Sequence, residues 1–536
     1  LPELDDWLAK ALKVFARAAT AGRSYDEGGA GYSWLVGNHL LGVSAALGDV
    51  SYAASEKMVR YADLAAVIQN NAFELVPFGD CHGYHATRTG AGNILLRAAE
   101  YHHDSGYKWL AERHDPQAAQ GDVFTCELPS APPDKHVGLF VLPMDPIVHR
   151  WAGLPHFHGY PLPPALPSVP PAHGFDKLSL RGGWEPTDDY LLLQGFGAGQ
   201  HGHPDANAIS QYQAQGRLFL VDSDYILRMP AQHNMVMVIR DGQHCPIPVT
   251  ARLDQAFEFS GGAFTQTTLP AYNGCDWRRT ILWLRNDCAL VVDTLTALEA
   301  GDYELRCYWR TLAETALTER GLHTVHQGEH FHVIEATNSA RRLDAEPPNV
   351  TDLKYTEYNF GEGIPQVLRE TQRVRLEAGE QACFVNLLLP NRQADAPRRS
   401  VRLSEGRISL TGDGHSVTLG AEGFEVEDGA RHVFAEHERL TGLRARGAAC
   451  LGAVPTVAGR ASSPVQVAWE LTLPAPVTCL APAESGVILV GCQDGLIGCV
   501  SAAGALTELA RAEEKIGAVL AARLWGEAEQ TVMAGA

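Results

Sequence analysis

No C-x-x-C pair occurs anywhere in this chain; its 11 cysteines are scattered, Cys81, Cys126, Cys245 and Cys275 among them. That spacing suits neither a cysteine zinc site nor a disulfide framework, and the odd number leaves at least one thiol unpaired or paired between chains. No apolar run reaches the ~18 residues needed to cross a bilayer. Basic residues are in deficit: 43 Lys and Arg stand against 63 Asp and Glu, for a formal net charge of -20. Such acidity argues against nucleic acid as the main partner, and any polyanionic ligand must find a locally basic cleft. The opening LPELDDWLAK lacks the charged and apolar regions of a signal peptide; an export signal removed earlier would leave the same picture.

What is present is an ordinary globular composition, 45% hydrophobic and 20% charged, in a chain with room for about two to four domains. Residues 1–118 are helical in pattern. Leu4, Trp7, Leu8, Leu12 and Phe15 recur near helical spacing, and SWLVGNHLLGVSAALG, EKMVRYADLAAVIQN and AGNILLRAAEYHH predict three more helices. Residues 119–174 read as an irregular connector, because PLPPALPSVPPAHG holds six prolines. Runs such as YLLLQGFG, RLFLVD and RRTILWLRNDCALVVDTL, broken by Gly, Asn and Asp, predict a large antiparallel β-sandwich over 175–440. Residues 441–536 differ again: PVTCLAPAESGVILVGCQDGLIGCV, partly echoed further on, predicts a propeller-like repeat fragment, too short to close a propeller.

The densest chemistry lies in residues 197–236, where His201, His203, Asp205, Asp222, Tyr225 and His233 fall within 33 residues. Imidazole with carboxylate suits zinc or a similar divalent ion, and His203, Asp222 and His233 as ligands would leave one position for water. If Gln215-Gly216 closes a hairpin, an extended strand leaves His203 ~16 Å from Asp222. The ligands converge only if the chain turns near Pro204.

This segment resembles the C-terminal β-domain of the heparinase II/III-like polysaccharide lyases, with their H-x-H-x-D-A stretch, Gly, short apolar strand ending in Asp, and H-N. The matching residues are His201, His203, Asp205, Ala206, Gly216, Asp222, His233 and Asn234. A second match, YDEGGAGYSWLVGNHLLGVSAALGD followed by VPFGDC, resembles the family's E-G-x-x-x-Y helix start and F-G-D turn. The resemblance implies a structural divalent metal on His203, Asp222 and His233, zinc first, with manganese or calcium as alternatives. It implies Tyr32 as the catalytic tyrosine, His201 beside it, and Tyr225 near the active site. The family's upstream Asn or His, which neutralises the uronate carboxylate, has no counterpart in the 24 residues before Tyr25. Either that segment is missing from the chain, the favoured expectation, or Asn38 and His39 substitute.

The fold class expected is therefore multidomain α+β: an incomplete (α/α) toroid, a large antiparallel β-sandwich and a small propeller-like β fragment. The function implied is β-elimination in a uronic-acid-containing polysaccharide, glycosaminoglycan ahead of alginate, by a secreted or periplasmic enzyme. Two rivals stand beside it. One is a glycoside hydrolase of toroid-plus-sandwich type, using Glu27 with Asp26 or Asp80; the other is a non-catalytic carbohydrate-binding protein. Elsewhere, His156 and His158 read as connector packing. The set His323, His326, His330 and His332 reads as a solvated face, as do Arg181 and Arg228.

Overall fold

The computed structural model describes residues 2–22, 32–76, 78, 90–116, 126–148, 169–197, 205–222, 230–345, 365–392, 397–404, 407–412, 415–420, 423–426, 431–433, 477–482, 488–492, 496–501, 506–511, 518–522 and 531–535. The chain divides into two compact units, Leu1–Val454 and Pro455–Ala536. Among the described residues no helix is long and apolar enough to cross a membrane.

The first unit opens with helices α1 (Pro2–Ala18), α2 (Tyr32–Leu47), α3 (Glu56–Val67), α4 (Ala91–His102) and α5 (Ser105–His114). The first four lie where the apolar spacing put them. Helix α5 was not expected; it begins where the Asp104 carboxylate accepts a hydrogen bond from the Gly106 backbone at 2.8 Å, an N-cap that satisfies an orphan amide.

Strands follow in chain order: β1 (Gly138–Pro143), β2 (Phe175–Arg181), β3 (Tyr190–Gln194), β4 (Ile209–Ala214), β5 (Arg217–Val221), β6 (Val236–Arg240), β7 (Gln243–His244), β8 (Arg252–Phe259), β9 (Gly262–Tyr272), β10 (Cys275–Leu284), β11 (Cys288–Ala297), β12 (Gly301–Thr311), β13 (Glu314–Thr318), β14 (Gly321–His326), β15 (Glu329–Glu335), β16 (Ala340–Ala345), β17 (Gln366–Leu376) and β18 (Gln381–Asn391). One sheet runs β1-β2-β3-β4-β5-β12-β17-β16, with β6 on β12 and β7 on β6; a second runs β13-β14-β15-β18-β11-β10-β9-β8. Strand β1 corrects the expectation of an irregular connector over 119–174, since it pairs antiparallel with β2 from Gly138 to Pro143.

Side-chain alternation explains the layering. Leu139, Val141, Leu191 and Leu193 join Trp277, Ile281, Trp283, Val291 and Leu305 in one core between the two sheets. Their neighbours Phe140, Leu142, Tyr190 and Leu192 point the other way, into a core shared with Trp34, Tyr61, Leu95 and Leu110 of the helices. Helices and sandwich are thus one packed body, and strands buried on both faces read as unbroken apolar runs. On the far side, Leu282, Leu290, Val385 and Leu387 pack against Ile408, Val417 and Phe424 of a third antiparallel sheet.

Two expectations of solvated surface are corrected. Arg181 is fully buried, donating to the Asn71 side chain and to the Gln69 carbonyl. Its guanidinium carbon lies 3.8 Å from the Trp184 ring centroid and 4.3 Å from that of Tyr190. It ties the turn after α3 to the sheet, as does Asn71, whose backbone amide donates to Gln213 Oε1 at 3.1 Å. His326 and His332 are buried; His332 stacks on His323 with centroids 4.4 Å apart. Arg228, His156 and His158 lie outside the described residues.

The second unit holds a four-stranded antiparallel sheet in sequence order, from Val477 to Arg511, and a hairpin of Ala518–Ala522 with Thr531–Gly535.

Candidate metal centre

Strands β4 and β5 form a hairpin whose turn, Gln215-Gly216, has φ of 56° and 72°. Two positive φ values in a row give the tight turn whose twist matches the flanking strands. The register runs Ala214↔Arg217 and Gln213↔Leu218, then shifts to Tyr212↔Leu220 and Gln211↔Val221. Phe219 is the extra residue of a bulge, and Asp222 comes out just past the end of β5.

The chain reverses at Asp205–Ala208, directly after Pro204 in sequence. The Ala208 amide donates to the Asp205 carbonyl at 2.9 Å, and the Asn207 amide to the Gln194 carbonyl at 2.7 Å. Asn207 adopts φ of 71°, a conformation asparagine tolerates better than most residues. This turn carries Asp205 back toward Asp222. His233 arrives from the 3-10 turn Pro230–Gln232. Next to it, Asn234 Nδ2 donates to the carbonyls of Ile209 and Val221, each at 2.9 Å, fastening the ends of β4 and β5 together.

Asp205, Asp222 and His233 each present a donor atom, and these atoms lie within 4.8 Å of one another. All three residues are buried. His233 Nδ1 and Asp222 Oδ1 are 2.5 Å apart. The Asp205 carboxyl is pushed up from its ordinary range, first by burial and also by the Asp222 charge, against the pull of His233 and Lys177. Asp205 Oδ2 is buried with no hydrogen-bond partner. Burying carboxylates without compensation is costly. Two carboxylates and an imidazole, converging with one carboxylate oxygen uncommitted, are a donor set that fits a divalent cation.

The expected ligands Asp222 and His233 therefore come together. Asp205, one of the six polar residues of the segment but not expected as a ligand, joins them. His203, His201 and Tyr225 lie outside the described residues, as do Asp26, Glu27 and Asp80. Tyr32 is the first residue of α2; its side chain is outside the described set. Asn38 is half-buried, donating to the carbonyls of Trp34 at 2.9 Å and Gly90 at 3.1 Å and accepting from Asn93 Nδ2 at 2.7 Å. His39, beside it, is exposed.

Sequence reading missed the support behind the site. Arg279 of β10 is fully buried and pairs with Asp293 through Nε at 2.8 Å and Nη2 at 3.0 Å. Thr267 Oγ1 donates to Asn207 Oδ1 at 2.6 Å. The alternation of β10, with Trp277, Ile281 and Trp283 inward, already places Arg279 inward. An inward arginine between tryptophans is the available signal for such a strut.

No family model matches the chain, and no curated protein matches it. Solved structures do. A heparinase III gene product with methylated lysines is 13% identical, with a TM-score of 0.53 over 78% of this chain and 61% of that one. A second structure of that gene product gives 14%, 0.51, 78% and 62%. Heparan sulfate lyase HepC from Pedobacter heparinus is 16% identical, with a TM-score of 0.49 over 72% of this chain and 56% of that one. The chain thus spans between 56% and 62% of the length of these structures. What it shares with heparinase III is the fold: a few helices on large antiparallel sheets.

Proposed function

We propose that this chain cleaves a uronic-acid-containing polysaccharide by β-elimination, a glycosaminoglycan ahead of alginate. One observation carries the reading: residues of the H-x-H-x-D-A, strand-Asp and H-N pattern meet in a buried centre, within a fold that resembles heparinase III. The reading includes an incomplete (α/α) toroid for the helical layer, a blade-like repeat for the second unit, and a secreted or periplasmic location.

Elimination removes the C5 proton of the uronate while the O4 leaving group departs. The proton is weakly acidic, so the carboxylate must be neutralised by hydrogen bonds or positive charge. A base and an acid must stand within hydrogen-bond reach of C5 and O4. Tyr32, at the first residue of α2, is assigned the base and then the acid that returns the proton to O4. His201 is assigned to hold the tyrosine in its reactive state, with Tyr225 nearby. His39, exposed on α2, is the better placed of the two neutralising candidates, because the Asn38 amide is engaged with α2 and α4.

A divalent ion, zinc first, would be held by Asp205, Asp222 and His233, with His203 as the expected fourth ligand. Its role is structural, joining the turn before β4, the end of β5 and the segment before β6. The test is a panel of acidic polysaccharides assayed for the ultraviolet absorbance of unsaturated uronate products. Absorbance rising with chain scission supports elimination. New reducing ends without absorbance would replace it with hydrolysis, and binding without turnover would leave a carbohydrate-binding protein.

A further inference from the structure

Beyond the helices, the outer face of the first sheet changes character. On β12 the inward residues are Tyr303, Leu305, Cys307 and Trp309, so Asp302, Glu304, Arg306, Tyr308 and Arg310 face outward. The register sets Arg375 across from Asp302, Arg373 across from Glu304, and Arg369 across from Tyr308. It then sets Arg342 of β16 beside Arg369. Five arginines, 306, 342, 369, 373 and 375, share this face with three carboxylates, Asp302, Glu304 and Asp344; Arg310 lies on the same face but is fully buried. In a chain of net charge -20 this concentration of positive charge stands out.

The carboxylates hold the arginines in place without sequestering them. Glu304 pairs with both Arg373 (2.8 Å) and Arg306 (Nε, 2.6 Å), Arg375 with Asp302 at 3.3 Å, and Arg342 with Asp344 at 2.5 Å. Arg373, Arg375 and Arg342 remain 76%, 62% and 67% exposed. Exposed pairs of this kind contribute only about 0–1 kcal/mol each, so an incoming carboxylate can displace them. Arg369 makes no ion pair with a described residue. At one end lies a shallow 420 Å³ depression bounded by Ile239, Gly242, Asp302, Glu304, Arg373 and Arg375. At the other, Tyr308 and Arg310 are buried, and the Arg310 backbone amide donates to Asn234 Oδ1 at 2.6 Å, next to His233 of the candidate centre. Along β17 the row extends roughly 20 Å from Arg369 to Arg375 at ~3.4 Å per residue, with Arg373 about 14 Å from Arg369 and about 7 Å from Arg375.

We infer that this arginine row is a polyanion track, holding an acidic polysaccharide by its carboxylate and sulfate groups. The inference rests on the reading under Proposed function for the identity of the polyanion. Guanidinium groups on a flat sheet can take carboxylates in bidentate fashion, and a repeating charge on the ligand meets a repeating charge on the protein.

The test compares full-length wild type with Arg342→Gln/Arg369→Gln/Arg373→Gln and with a control of equal charge loss elsewhere, Arg278→Gln/Arg402→Gln/Arg407→Gln. Affinity for heparan sulfate and for alginate is measured by titration at two salt concentrations, with neutral dextran as blank and single-stranded DNA as competitor. Thermal melts establish that all variants are folded. The track variant is expected to bind at least about tenfold more weakly, with a salt dependence shallower by about three ions released, and the control to match wild type. Equal affinity of track variant and wild type, equal loss in the control, or DNA bound more tightly than either polysaccharide would each overturn the track. The two readings fail separately. Unsaturated product with unchanged KM in the track variant removes the track and leaves the lyase. No product from wild type, with affinity still lost in the track variant, removes the lyase and leaves the track.

Discussion

Arg279 Nη1 donates to the backbone carbonyl of Asn234 at 2.8 Å, and the same nitrogen donates to the carbonyl of Asn207 at 2.9 Å. A side chain of the second sheet thus clamps, across the sandwich core, the two backbone segments that deliver His233 and Asp205. Its own charge is balanced by Asp293, which also accepts from Trp277 Nε1 at 2.8 Å.

Breaking this strut should therefore be expensive. Arg279→Met leaves Asp293 buried and unpaired, and a loss of about 3–5 kcal/mol in chemical denaturation is expected. Arg279→Met with Asp293→Leu should recover part of that loss. A single variant as stable as wild type would mean that the clamp contributes nothing.

The candidate centre should bind a divalent ion through Asp205 as well as the residues the motif singles out, His203, Asp222 and His233. Elemental analysis of wild type is expected to find about one equivalent, and His233→Ala, Asp222→Asn and Asp205→Asn to find little or none. Metal added at about a hundredfold excess over Kd should stabilise wild type by about 3 kcal/mol and leave the variants unmoved. An Asp205→Asn protein that retains its metal would return the third ligand position to His203.

For catalysis, Tyr32→Phe and His201→Ala are each expected to lower turnover of an acidic polysaccharide by about a hundredfold or more, with melting temperatures unchanged. Initial rates of ultraviolet absorbance measure this. A double variant with wild-type rates would dissolve the assignment of both residues.

Glu370 supplies a pH signature away from the site. It is fully buried, and burial pushes its carboxyl up to about 8, against the hydrogen bond from Asn386 Nδ2 at 3.0 Å. An acid with a raised folded pKa binds more protons folded than unfolded, so its stabilising effect is present in acid and is lost as pH rises from about 4.5 toward 8. Glu370→Gln, a neutral mimic of the protonated acid, should match wild type near pH 5. It should exceed wild type by on the order of 4–5 kcal/mol at pH 9. Parallel stability profiles for the two proteins would exclude the effect.

Much of this was open to inspection in the residues alone. Period-3.6 spacing gave away α1 to α4, whereas α5, with apolar residues bunched at Tyr107, Trp109 and Leu110, offered no clear stripe. Strand β1 was hidden because GLFVLP is short and prolines flank it. Within the 197–236 segment, strand geometry called for a turn near Pro204, ahead of β4, but not for its conformation. The left-handed Asn207 and its hydrogen bond to the Gln194 carbonyl shape that turn, and no local pattern announces them. Arg181 looked like any surface arginine until the turn after α3 closed over it.

The amino-acid order by itself determined the alternation that builds layered sheets, the helical start of the chain, and the cluster of imidazoles and carboxylates near residue 200. Those are local properties, carried by side-chain period and composition. Tertiary structure alone decided that Asp205 joins Asp222 and His233, and that Arg306, Arg342, Arg369 and Arg373 form one row. These partners come from strands distant in the chain, and only inter-strand register, fixed by the sum of many buried contacts, brings them side by side.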